Sequence, residues 1–94
     1  METERQAAET IALQVLAWLA GQSDLLEVFM GATGAGQDDL RMRAADPEFL
    51  VAVLDFVLMD DAWIGQFCTD HGMPGTALKE ARAAFPGGEE MHWT

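Results

Sequence analysis

The chain has 94 residues, half of them hydrophobic, and its 16 acidic residues against 5 basic ones give a net charge of −11. The length suits one domain, and the hydrophobic fraction argues against disorder. A surface this acidic repels phosphate backbones and anionic membranes, so we expect neither a membrane nor a nucleic acid as partner, and a basic protein surface as the partner that the charge favours.

The spacing of apolar residues predicts an all-α fold, a bundle of five to six short helices with no sheet. Apolar residues recur every three or four positions, and no run alternates long enough for a strand. The first helix is predicted over residues 4–20 and ends at Gly21, expected in the left-handed conformation. Ser23 or Asp24 is the expected N-cap of a second helix, which the glycine-rich segment 31–36 breaks.

The middle of the chain carries the clearest helix start. Asp38 is expected to cap a short third helix over residues 40–45. In Asp46-Pro47, the aspartate is expected to cap and the proline to take the first position of a fourth helix, which runs to about Met59. Apolar side chains nearly surround this helix, so we predict that it is the most buried one.

Two more helices are predicted after an acidic pair, Asp60-Asp61. Gly72 ends the fifth helix, and Thr76 is expected to cap the sixth. We predict a single α-helical domain over residues 1–88.

An acidic tail over residues 89–94 completes the predicted organisation. Cys68 is the only cysteine, which agrees with a reducing compartment. The start of the chain lacks the basic residues of a signal peptide, and the longest strongly apolar run, residues 49–59, is far shorter than the ~20 residues of a membrane helix. We therefore expect a cytoplasmic protein.

The glycine-rich segment has the glycine spacing of a phosphate-binding loop, but not its polar residues. Gln37 and Asp38 stand where a lysine and a serine or threonine are required. An aspartate there repels a phosphate. We interpret the segment as a turn between helices.

The same region has a helix-turn-helix pattern. Gly34 would form the turn, and Arg41 and Arg43 would face DNA. Against this, Asp38 and Asp39 occupy the first turn of the recognition helix, where contacts to the nucleic acid normally lie. A helix-turn-helix-like, nucleic-acid-associated regulator is therefore one alternative hypothesis.

Cys68 and His71 form the pattern closest to a metal or redox site. They lie three positions apart and share a helix face, and Asp61 or Asp70 would have to join them to form a ligand set. Zinc requires three or four ligands, and the other histidine, His92, lies in the tail. We predict no catalytic, cofactor-binding or metal-binding residues, and keep a small metal or redox protein as a second alternative.

A series of helix-packing and capping segments extends over most of the chain. They are residues 17–20, 26–29, 33–34, 39–41, 44–50 and 53–56, closed by the Pro-Gly-Gly sequence at 86–88. Together they resemble a domain-of-unknown-function family of short bacterial proteins of about this length. The resemblance implies an intracellular bacterial α-helical protein, and it implies no activity, cofactor or binding residue.

The function that these observations favour is a non-enzymatic protein-interaction module. Interface centres are enriched in Trp and Met, and here both flank two acids at a helix junction. The alternative is that Trp63 packs inward beside Phe67 and leaves the acids as a solvated cap. The predicted partner-binding residues are Met59, Asp60, Asp61, Trp63 and Trp93.

Overall fold

Six helices follow one another in residues 4–85, the part of the chain that the computed structural model describes. This part contains no strand, which confirms the all-α prediction, and its Cα radius of gyration is 12.7 Å. The helices are α1 (Glu4–Ala20), α2 (Ser23–Thr33), α3 (Gln37–Met42), α4 (Pro47–Leu58), α5 (Asp61–His71) and α6 (Ala77–Ala83).

Helix α4 is the centre of the core, as its sequence predicts. It contacts α1, α5 and α6, while α1 also contacts α2 and α6. Asp46 caps α4 as predicted, because its Oδ1 accepts a hydrogen bond of 3.0 Å from the Glu48 N–H, and Pro47 occupies the first turn. The buried side chains of α4 are Phe49, Leu50, Val53, Leu54, Phe56 and Val57.

Phe29 attaches α2 to this core. Its side chain is fully buried, and its ring meets Phe56 edge-on at a centroid distance of 5.2 Å and Phe49 at 6.0 Å. Edge-to-face pairs add to the stability that burial alone gives. The position of Phe29 therefore fixes which face of α2 points inward.

Trp18 links α1 to α5. Its ring packs edge-on against Phe67 at 5.8 Å, and its Nε1–H donates a hydrogen bond of 3.0 Å to Asp70 Oδ2. The indole is almost completely buried, and its polar atom reaches a partner at the surface. Trp18 therefore belongs to the buried side chains of α1.

The junction between α1 and α2 differs from the prediction. Gly21 is not left-handed, since positive φ angles within residues 4–85 occur at Gly34 and Gly72. Instead, the N–H groups of Gly21 and Gln22 donate to carbonyls three residues earlier, which ends α1 with a tight turn. Neither Ser23 nor Asp24 is the N-cap.

Gln22 takes that position without a side-chain hydrogen bond. Helix α2 also continues through Gly31, and it ends at Gly34, whose φ of 77° is the left-handed conformation that glycine tolerates.

The start of α3 also differs from the prediction. The helix begins at Gln37 and has Gly36 as N-cap, and Asp38 lies in its first turn instead of capping it. Asp39 Oδ2 accepts a hydrogen bond of 2.9 Å from the Gly36 N–H and so satisfies this end of the helix. The third helix is therefore shifted towards the N-terminus relative to the predicted residues 40–45.

The caps of the last two helices agree with the prediction more closely. Asp60 caps α5 through a hydrogen bond of 2.8 Å from the Ala62 N–H to its Oδ1, and Gly72 ends α5 with a φ of 65°. Thr76 is the residue before α6, but its side chain makes no capping hydrogen bond. Trp93, His92 and the rest of the predicted tail lie outside the described residues.

Candidate protein-interaction surface

The junction between α4 and α5 brings together four of the five residues that the sequence predicts for partner binding. Met59 follows the last turn of α4, and 71% of its surface is exposed. Asp60 follows directly and is partly occupied by its capping bond, whereas Asp61, in the first turn of α5, is exposed. Trp93, the fifth residue, lies beyond the part of the chain that the structure describes.

Trp63 is half-buried and has one protected face. Its ring stacks on Phe56 with a centroid distance of 4.9 Å and an interplanar angle of 22°. Phe56 is itself buried, so this contact covers one face of the indole against α4. The part of Trp63 that stays exposed is an aromatic surface, and tryptophan is one of the side chains that dominate interface centres.

A groove between the first turns of α2 and α5 includes this exposed part of Trp63. We call it the Trp63 groove. Asp24 contributes a carboxylate from α2, and Gln66 lies one turn further along α5. The groove is lined by Gly21, Gln22, Ser23, Asp24, Leu25, Ala62, Trp63 and Gln66.

Asp24 is not among the residues that the sequence predicts for the interaction surface. Asp24 is far from Trp63 in the sequence, and it reaches the groove because Phe29 docks α2 against α4, which also holds Trp63. The local pattern around Asp24 signals only a helix start. No single-sequence signal connects these two positions.

Two carboxylates are available to a partner in this region, that of Asp24 in the Trp63 groove and that of Asp61 in the first turn of α5. Asp24 and Asp61 are exposed, and neither forms an ion pair within residues 4–85. The ion pairs in this part of the chain lie elsewhere, joining Arg5 to Glu9, Arg43 to Asp46, and Arg82 to Asp55. The surface around Trp63 therefore combines an aromatic face with uncompensated negative charge.

The two arginines of the helix-turn-helix pattern do not act together in the structure. Arg41 is exposed and lines a groove with α1 and α2. Arg43 lies over the Phe49 ring at 4.9 Å and pairs with Asp46 at 3.3 Å, which occupies its guanidinium. The turn itself is present, since Gly34 separates α2 from α3.

Cys68 and His71 are held in different environments. Cys68 is buried, and this burial raises the pKa of its thiol, which disfavours the thiolate that binds metals and attacks electrophiles. The His71 ring is exposed, stacks on Phe67 at 4.2 Å, and places its Nδ1 3.1 Å from the Phe67 carbonyl oxygen. Within residues 4–85, no group of three or more Cys, His, Asp or Glu side chains is arranged to hold a metal.

The sequence matches a family model over residues 5–88. The description of that family is "Protein of unknown function (DUF3572)". No curated protein and no solved structure matches the chain. Among the helices of the described part, none is long and apolar enough to cross a membrane.

Proposed function

We propose that this chain, which belongs to the DUF3572 family of proteins of unknown function, is a protein-interaction module that binds a basic partner through the Trp63 groove. The observation that carries this proposal is that the half-buried Trp63 lines one groove with the exposed Asp24, while the exposed Asp61 lies in the first turn of the same helix as Trp63.

An arginine side chain is the partner group that fits this arrangement best. Its guanidinium stacks on an indole face, an interaction worth ~0.5–2 kcal/mol depending on solvent exposure. The same group forms charge-assisted hydrogen bonds with carboxylates such as Asp24 and Asp61. A lysine can use the same charges, but it lacks the planar surface that stacks.

Met59 and Asp60 have different roles in this proposal. Met59 is exposed and adaptable, so it provides apolar contact beside the charged centre. Asp60 uses one oxygen to cap α5, so it contributes charge, and its replacement by alanine would also weaken the helix start. Trp93 stays a prediction as an additional contact.

Isothermal titration calorimetry with an arginine-rich synthetic peptide tests the proposal directly. A glutamate-rich peptide of the same length is the probe control. We expect the arginine-rich peptide to bind and its affinity to fall as salt is raised, because exposed charges are screened within about 8 Å at physiological ionic strength.

Two double variants separate specific binding from general attraction to an acidic protein. Asp24→Asn with Asp61→Asn removes the charges beside Trp63, while Asp38→Asn with Glu48→Gln removes the same charge from other exposed positions. We expect the first pair to weaken binding by about tenfold or more and the second pair to have little effect. Equal losses from both pairs would contradict the proposed site.

Trp63→Phe tests the aromatic contact with a small change in shape. Trp63→Ala would also remove the stacking on Phe56 and so weaken the fold. We expect Trp63→Phe to fold normally and to bind more weakly, because phenylalanine gives a weaker cation–π contact than tryptophan. Unchanged affinity for both Trp63→Phe and a folded Trp63→Ala would remove Trp63 from the site. A pull-down from native cytosol, followed by mass spectrometry, then identifies the natural partner.

A further inference from the structure

Gly65 is an unfavourable residue for the middle of α5. It lies between Ile64 and Gln66, inside a helix that runs from Asp61 to His71. Glycine loses more backbone freedom on folding than any other residue, so it ranks next to proline among the poorest residues inside a helix. Two features of a fold can require a glycine in spite of this: a left-handed backbone conformation, or a neighbouring atom too close for a side chain.

Neither requirement applies to Gly65 within the folded chain. Positive φ angles in residues 4–85 occur at Gly34 and Gly72, so the backbone of Gly65 is open to any residue. A Cβ atom at position 65 would meet no atom outside its own stretch of helix backbone within 4 Å, and Gly65 is exposed. Alanine would therefore fit here and would make a more stable helix.

The position of Gly65 on α5 connects two parts of the proposed interaction surface. Ala62 and Gln66 line the Trp63 groove, whereas Asp61 lies outside its lining. At about 3.6 residues per turn, Gly65 lies between Asp61 and Ala62 around the helix axis, and Gln66 lies on the other side of Ala62. A partner that reaches from the groove to the Asp61 carboxylate therefore crosses α5 over Ala62 and Gly65.

We propose that the basic partner crosses α5 at Gly65, where the absence of a side chain lets the main chain of the partner approach the helix closely. This inference rests on the function proposed above. The exposed carboxylate of Asp24 lies in the groove on one side of the crossing, and that of Asp61 lies on the other. Both attract basic groups, so one basic segment that lies across α5 can use both charges.

A side chain at position 65 would hold the partner away from α5. The contact with Asp61 would weaken more than the contact with Asp24, because Asp24 lines the groove itself and Asp61 lies beyond the crossing. Charge-assisted hydrogen bonds require a short distance between donor and acceptor, so a small displacement of the partner is sufficient to break them. Gly65 therefore determines how tightly a basic partner is held, at a cost in helix stability.

Isothermal titration calorimetry of Gly65→Ala and Gly65→Gln with the arginine-rich peptide tests this crossing. Alanine adds one methyl group and glutamine a longer side chain, and both are better helix formers than glycine. We expect both variants to have a higher urea midpoint than the wild type. Binding should weaken measurably in Gly65→Ala and by about tenfold or more in Gly65→Gln. A gain in stability with a loss of affinity separates the partner contact from damage to the fold.

Gly31→Ala and Gly31→Gln are the matched controls. Gly31 is also an exposed glycine inside a helix, and a Cβ atom there would have the same open space. It lies near the end of α2 and does not line the Trp63 groove. We expect these variants to gain stability in the same way and to keep the wild-type affinity. Equal losses of affinity from the Gly31 and Gly65 variants would overturn the proposal.

A double-mutant cycle locates the crossing relative to the two carboxylates. In the Gly65→Gln background, Asp61→Asn should lose most of its effect on affinity, whereas Asp24→Asn should keep its effect. A Gly65→Gln variant that binds as tightly as the wild type overturns the crossing and leaves the Trp63 groove as the binding site. A wild type that does not bind the peptide contradicts the function proposed above, and the crossing with it.

Discussion

At the scale of single residues, Asp46 has two bonds that a mutation can separate. Oδ1 accepts the Glu48 N–H at 3.0 Å, and Oδ2 lies 3.3 Å from Arg43 Nη2. The first bond caps α4. The second is a solvent-exposed ion pair, and pairs of this kind contribute only ~0–1 kcal/mol.

We expect Asp46→Ala to lower the free energy of unfolding by ~0.5–2 kcal/mol, because it removes the cap. Asp46→Asn should be nearly neutral, since asparagine caps about as well and only the exposed ion pair is lost. Urea denaturation of the three proteins measures both effects. If asparagine proved as damaging as alanine, Asp46 would act through its charge and the capping role would be wrong.

Cys68 makes the stability of the fold depend on pH in the alkaline range. Burial raises the pKa of its thiol, so the folded chain keeps a proton that the unfolded chain loses above the ordinary thiol pKa of about 8.5. The contribution of Cys68 to stability is complete below that pH and falls as the pH rises towards the raised folded value.

The measurement for Cys68 is the free energy of unfolding from about pH 7 to about pH 10 in reducing buffer. Cys68→Ala is the comparison, because it lacks the titrating group, and only the slopes are compared. We expect the wild type to lose stability with rising pH more steeply than Cys68→Ala. Identical slopes would mean that the thiol does not titrate differently on folding.

At the scale of elements, the core of the protein depends on α4. Leu54 is fully buried there, and its removal should leave a cavity that the packed surroundings cannot fill. We expect Leu54→Ala to destabilise the fold by ~2–5 kcal/mol. Leu13→Ala is the exposed control and should change stability by about 0.5 kcal/mol or less. A small effect of Leu54→Ala in urea denaturation would show that the core lies elsewhere.

The helices themselves could be predicted from the sequence because their signals are local. Asp46 and Asp60 satisfy the N–H groups of their own first turns, and Gly72 tolerates the conformation that ends α5. The starts of α2 and α3 were predicted wrongly at Ser23 or Asp24 and at Asp38. There the residues before the helices, Gln22 and Gly36, give no capping side chain, so the residue types that usually mark a helix start pointed one or two positions too far along the chain.

The interaction surface was only partly predictable because one of its residues comes from a distant helix. Met59, Asp60, Asp61 and Trp63 are close in sequence, so their proximity follows from one helix junction. Asp24 joins Trp63 only in the folded chain, where α2 and α5 line one groove. The hydrogen bond between Trp18 and Asp70 likewise joins residues far apart in the sequence, and periodicity carries no information about such pairs.

At the scale of the whole molecule, the charge distribution opposes binding to duplex DNA. Arg41 and Arg43 are both exposed, but Arg43 contacts Phe49 and pairs with Asp46, so within residues 4–85 Arg41 is the base of the helix-turn-helix pattern that forms no ion pair. A DNA-binding protein neutralises several phosphates and loses affinity steeply as salt is raised. We expect no mobility shift with duplex DNA at moderate salt. A shift that Arg41→Ala or Arg43→Ala abolishes would contradict this prediction.

The central claim is that a basic partner binds at the Trp63 groove, and amide NMR measures it most directly. Adding the arginine-rich peptide to the isotopically labelled full chain reports on every backbone N–H at once. We predict that the largest shifts fall in the first turns of α2 and α5, around Asp24 and Asp61, with the indole N–H of Trp63 among them. Shifts spread evenly over all acidic positions, or concentrated in helices other than α2 and α5, would contradict it.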